Sequence, residues 1–142
     1  MSEFERVREI VARALELDPD HPPALAGLAR TGLVNLDVYV ELNAGADAEQ
    51  LAVLGERQDK HPLRRLGAKL RCGGVRADLV PPVDRIALVI AAARDHGVPL
   101  KFTAGLHHPV RGMDHTEGVP MHGFLNVYGA ALLAHEGGAD PG

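Results

Sequence analysis

Tryptophan is absent from this chain of 142 residues, and aromatic residues of all kinds make up 4%. A surface that binds single-stranded nucleic acid stacks bases on successive exposed rings, so that class is disfavoured. Positive charge is also in short supply. Fifteen Lys and Arg face 19 Asp and Glu, giving a net charge of −4. Such a balance gives no general attraction to phosphate backbones or acidic membranes. Cysteine occurs once, at Cys72, which excludes an intrachain disulfide and fits a reducing cytoplasm. No apolar run approaches the roughly 18 residues that a membrane span needs. The opening Met1-Ser2-Glu3-Phe4-Glu5 is acidic and amphipathic, unlike a secretory signal. These absences lead to the expectation of a cytoplasmic protein with no membrane or nucleic-acid partner. An apolar content of 46% over this length suits one domain with a real core.

The patterning predicts an α/β fold. Ser2 and Glu5 form a capping box, and Phe4, Val7, Ile10, Val11 and Ala14 recur at helical spacing. A second short helix is expected from Ala24 to Leu33. Leu36, Val38, Val40 and Leu42 alternate with polar residues, as in a strand over 35–42. Asp47 is the expected cap of a helix reaching about Asp59. Further strands are expected over 66–72 and 98–106. A helix from Pro82 to Gly97 faces inward with Ile86, Val89, Ile90 and Ala93, and a last one covers about 123–135. The segment from His107 to Met121 reads as loop. The expected organisation is one domain over 1–138, with a helical segment over 1–34, three strand–helix units over 35–138 and a disordered tail at 139–142. Strands alternating with helices imply a parallel sheet with right-handed crossovers. Three such units read as part of a TIM-barrel-like sheet with two bare edges, which argues for a homo-oligomer.

Two segments stand out. Lys69-Leu70-Arg71-Cys72-Gly73-Gly74 is echoed 32 residues later by Lys101-Phe102-Thr103-Ala104-Gly105-Leu106. Residues two apart share a face of a strand, so Lys69 with Arg71, and Lys101 with Thr103, each point one way. Cations inside strands are costly unless they meet an anion, a partner or a substrate. In parallel sheets ligands gather at the carboxyl ends of the strands. Glu41, Arg71 and Thr103, together with Gly73, Gly74, His107 and His108, all fall at such ends.

Three motifs carry a resemblance. Ala68-Lys69-Leu70-Arg71-Cys72-Gly73-Gly74, then Val98-Pro99-Leu100-Lys101-Phe102-Thr103-Ala104-Gly105-Leu106-His107-His108-Pro109, then Met121-His122-Gly123-Phe124-Leu125-Asn126-Val127 resemble a bacterial protein family found mainly in actinobacteria. Its members are about twice this length or a little more. The match covers about Val38 to Leu133 and brings no function with it. A weaker similarity, of strand-end pattern alone, is to class I aldolases of the deoxyribose-phosphate type. It implies lysines on adjacent barrel strands followed by small residues.

The candidate chemistry follows from these ends. Lys69 and Lys101 form an anion clamp or supply a Schiff-base amine; the bland alternative is a pair of lysines reaching solvent. Arg71 beside Gly73 and Gly74 suits a phosphate or carboxylate; a tight turn with a surface arginine is its bland counterpart. Glu41 either pairs with Arg71 or acts as a general base. His107 and His108 are candidate acid–base groups. His122 and Asn126 stand at a helix N-terminus, where backbone N–H groups favour an anion. Thr103 and Arg111 are further candidate contacts. No cofactor is expected, although a divalent metal on His107, His108, His115 and His122 stays open, with Asp114 and Glu117 as added oxygen ligands. Cys72 faces away from Arg71 and reads as core. The expected function is an enzyme of lyase or aldolase type that binds a small anionic metabolite at the strand C-termini. A non-catalytic ligand-binding or assembly module is the alternative.

Overall fold

The computed structural model describes residues 37–60, 63–115 and 118–137. The chain runs through β1 (Asp37–Glu41), α1 (Asp47–Glu56), β2 (Arg65–Arg71), a 3-10 turn (Ala77–Leu79) and α2 (Val83–Asp95). It continues through β3 (Leu100–Thr103), β4 (Gly112–Met113), β5 (Pro120–Met121) and α3 (Phe124–Gly137). β1, β2 and β3 form a parallel sheet in that order, and β4 pairs antiparallel with β5. The architecture is mixed α/β. The helices expected before residue 34, Glu117 and the tail at 139–142 lie outside the described residues.

Strand periodicity divides the sheet into two faces. Leu66, Ala68 and Leu70 of β2, with Cys72 just beyond, are buried in one core with Leu51 and Leu54 of α1 and with Ile86, Val89, Ile90 and Ala93 of α2. Burying each of the leucine, isoleucine and valine side chains is worth roughly 1.5–3 kcal/mol. α3 joins the same layer. Its Val127 is buried there, and its Tyr128 meets Phe102 of β3 edge to face, with ring centroids 5.4 Å apart. Tyr39, Glu41, Lys69, Arg71, Lys101 and Thr103 occupy the alternate positions and point the other way.

Several element ends differ from expectation. Ala46, not Asp47, is the N-cap of α1, and it makes no side-chain cap. The Asp47 carboxylate is taken instead by Arg85 of α2, through contacts of 2.9 Å from Nε and 2.9 Å from Nη2. Arg85 also donates to the Leu42 carbonyl at 3.2 Å, so one guanidinium ties together β1, α1 and α2. α2 stops where Gly97 turns with φ +63, the left-handed conformation glycine supplies at helix ends. β3 is shorter than expected because the chain leaves it through two consecutive left-handed residues, Ala104 (φ 59) and Gly105 (φ 70). The segment read as loop contains the β4–β5 hairpin. Among the described residues the sheet ends at β1 and at β3 and does not close into a barrel.

Candidate functional site

Register decides which charges meet. Glu41, Lys69 and Lys101 lie directly opposite one another across the three strands. Arg71 lies opposite Thr103 one pleat further on. The expected pairing of Glu41 with Arg71 is therefore corrected. Glu41 stands two residues earlier in register, and its carboxylate takes Lys69 Nζ at 2.7 Å. Near-equal chain spacing misled here, because the registered positions are 28 residues apart from β1 to β2 and 32 from β2 to β3.

Lys101 finds a different neighbour. Its Nζ stands 5.5 Å from the centroid of the Tyr39 ring, which belongs to β1 on the far side of β2. Gly67 makes that reach available. A Cβ on Gly67 would stand 2.7 Å and 2.8 Å from Tyr39 ring carbons. The ring thus lies over the middle strand at the one β2 position without a side chain. A cation over an aromatic face gains about 0.5–1 kcal/mol at an exposed site. Among the described residues Lys101 has no carboxylate partner, whereas Lys69 is neutralised by Glu41.

Beyond the strand ends the chain passes through paired glycines. A Cβ on Gly73 would stand 2.6 Å from the Gly105 Cα, and a Cβ on Gly105 the same distance from the Gly73 Cα. The exits of β2 and β3 therefore cross backbone to backbone. They open a cavity of about 380 Å³ whose walls include Gly74, Ala104, Gly105, His107, Asp114 and Met121. Arg71 does not line the cavity itself but packs against Gly73 and Gly74, where β2 leads into it. Its Nε donates to the Gly73 carbonyl at 2.9 Å, and its Nη2 lies 3.2 Å from where a Cβ on Gly74 would be. The hairpin supplies the far wall. Asp114 is buried, and its carboxylate lies 3.6 Å from His108 Nε2, an ion-pair distance that is too long for a hydrogen bond. Ala104 holds a left-handed backbone that costs a non-glycine residue about 1–2 kcal/mol, and such strain clusters at functional sites.

Other candidates separate from this edge. The first N–H groups of α3 are already engaged: Phe124 donates to the His108 carbonyl and Leu125 to the Pro109 carbonyl, both at 2.9 Å. The anion expected at that helix end thus has its donors taken. Asn126 accepts the Arg111 backbone N–H through Oδ1 at 2.8 Å. His122 is buried, and its Nε2 meets the Pro81 carbonyl at 2.6 Å. A carbonyl only accepts, so Nε2 carries the proton. The four histidines consequently do not converge, His115 being exposed in the hairpin turn. Among the described residues no group of three or more His, Cys, Asp or Glu gathers as metal ligands would. Cys72 is fully buried, and burial pushes its thiol up to about 11, against smaller opposing effects of Arg85 and the Thr103 backbone.

Sequence reasoning named Asp114 only as a possible metal ligand; its place in the cavity wall follows from the hairpin, which the sequence did not show. That reasoning missed Tyr39, whose signal was present: a lone tyrosine on the same strand face as Glu41.

No family model matches the chain. Over 150 aligned positions it is 28% identical to a biotin synthase of Chlorobium phaeovibrioides (strain DSM 265 / 1930). The alignment covers 94% of this chain and 45% of that protein, so the chain spans less than half the length of the curated relative it matches. No solved structure matches.

Proposed function

We propose that this chain binds a small anionic metabolite at the carboxyl edge of its parallel sheet, with chemistry of the lyase or aldolase type. The reading rests on Lys69, Lys101 and Arg71 sharing one sheet face, with a cavity walled by His107 and Asp114 beyond the strand ends. The anionic group takes Arg71 at the end of β2, where a guanidinium offers two parallel donors. The reacting carbon then points to His107, which serves as the acid–base group. Lys101 is the preferred amine for carbonyl chemistry. It condenses with a substrate ketone or aldehyde, forming C=N and releasing water. Lys69, held by Glu41, contributes positive charge beside it. The three strand–helix units belong to a barrel-like sheet in this reading, completed by other chains. Exposed Leu125, Tyr128, Leu132 and Leu133 on α3 fit a second copy of the chain, because symmetric pairing is the commonest way to cover such a face.

Borohydride trapping separates an enzyme from a binding module. With a panel of short phosphorylated or carboxylated aldehydes and ketones, reduction adds the substrate mass to Lys101. The Lys101→Arg variant loses the adduct while still binding the anion. A folded chain that binds the panel and is never trapped leaves the non-catalytic module as the function.

A further inference from the structure

Arg111, His122 and Asn126 do not belong to the strand-end cavity, yet they come together. They form the polar end of a separate cavity of about 270 Å³ between α2 and α3. Its other wall is aliphatic and includes Ile86, Ala87 and Ile90 of α2 and Val127 of α3. The polar end is rich in donors. Among the described residues the Arg111 guanidinium has no partner, and its five N–H groups can only donate. Asn126 has its Oδ1 occupied by the Arg111 backbone N–H, which leaves its amide NH2 to donate. His122 is 6% exposed and lines the cavity with its Nε2 spent on Pro81. Its Nδ1 has no partner among the described residues. A buried polar atom normally has one, and His122 lines the cavity.

We infer that this cavity is a second binding site, and that it takes a short aliphatic carboxylate. Three lines of reasoning fix the class. The donors call for an acceptor-only head group, and a guanidinium fork matches a carboxylate. With Nε2 already donating to Pro81, His122 Nδ1 donates to the same head group when the ring is protonated. The aliphatic wall excludes a second charge at the far end, since burying an unpaired ion is costly. The cavity of about 270 Å³ is open to solvent on one side and admits a short alkyl chain such as that of hexanoate. The site is distinct from the strand-end cavity, because none of its lining residues also lines that cavity.

The test uses hexanoate as the probe and follows the backbone amides of the full chain by two-dimensional NMR. Saturable shifts are expected in 86–90 of α2, at Arg111 and in 126–130, with the amides of Gly74 and Gly105 unmoved. Arg111→Gln weakens hexanoate by about tenfold, which corresponds to about 1.4 kcal/mol. Ala87→Leu fills the aliphatic end, keeps all three polar groups and abolishes binding. Hexan-1-ol, which lacks the charge, binds far more weakly than hexanoate. Inorganic phosphate bound at Arg71 is unaffected by either variant. Shifts that map to Gly74 and Gly105 overturn the inference. So does hexanoate binding that survives both Arg111→Gln and Ala87→Leu, or no saturable shift at millimolar hexanoate in a chain whose spectrum is folded.

Discussion

Gly105→Ala probes the crossing on which the candidate site rests. Two costs arise at that position and they can be separated. The first is conformational. Gly105 has φ +70, and an alanine there costs about 1–2 kcal/mol. The second is steric. Its new Cβ would meet the Gly73 Cα at 2.6 Å, the Cys72 carbonyl oxygen at 2.7 Å and the Cys72 carbonyl carbon at 2.9 Å. All three are backbone atoms that no rotamer change can move aside, and overpacking of this kind costs about 1–3 kcal/mol more. Gly97 supplies the control. It has φ +63 but nothing within 4 Å of an added Cβ, so Gly97→Ala bears the first cost alone. Urea unfolding followed by circular dichroism should show Gly105→Ala destabilised by about 2–5 kcal/mol and Gly97→Ala by about 1–2 kcal/mol. Equal losses in the two variants would refute the crossing of the strand exits. Loss of phosphate binding is also expected in Gly105→Ala and not in Gly97→Ala, because the alanine pushes apart the loops that wall the cavity.

Two further outcomes follow from the packing and the charges. Asp47→Asn should cost about 2–4 kcal/mol in the same unfolding assay, since breaking a buried pair strands the remaining charge and Arg85 is still one-fifth exposed; Asp37→Asn, at a more exposed pair with Arg64, should cost much less. Burial holds the Cys72 thiol up at about 11 against an ordinary 9.0, so its contribution to stability is complete below pH 9 and falls as pH rises towards 11, where the unfolded thiol ionises first; a thiol reagent at pH 8 should label the unfolded chain and leave the folded one unmodified.

The elements that positioned the site were legible because each had a local cause. The alternation at Leu66, Ala68, Leu70 and Cys72 gave β2 its buried face, and the spacing of Ile86, Val89, Ile90 and Ala93 gave α2 its inward stripe. The adjacency of Lys69 and Lys101 was readable for the same reason, from two strands with matching sequence. Facts set by tertiary contact were not readable. Glu41 meets Lys69 and not Arg71 because β1 pairs with β2 in a register that chain spacing does not record. Asp47 looked like a cap because Asp is a good one, and an arginine 38 residues away claimed it instead. The α3 N-terminus looked open to an anion, yet the carbonyls of His108 and Pro109 fold back to close it. The hairpin of two-residue strands was too short to leave a pattern in the sequence.

The central claim is that an anion binds at the sheet edge through Arg71. Calorimetric titration of the wild-type chain with inorganic phosphate, and with short phosphorylated and carboxylated metabolites, tests it most directly. Charge-assisted hydrogen bonds of this kind are worth about 1.5–3 kcal/mol, so Arg71→Ala should weaken the best ligand by roughly tenfold or more. Arg71→Lys should recover only part of that, because the planar fork is lost. Equal affinity of wild type and Arg71→Ala across the whole panel, or no saturable binding by the wild type, would contradict the account.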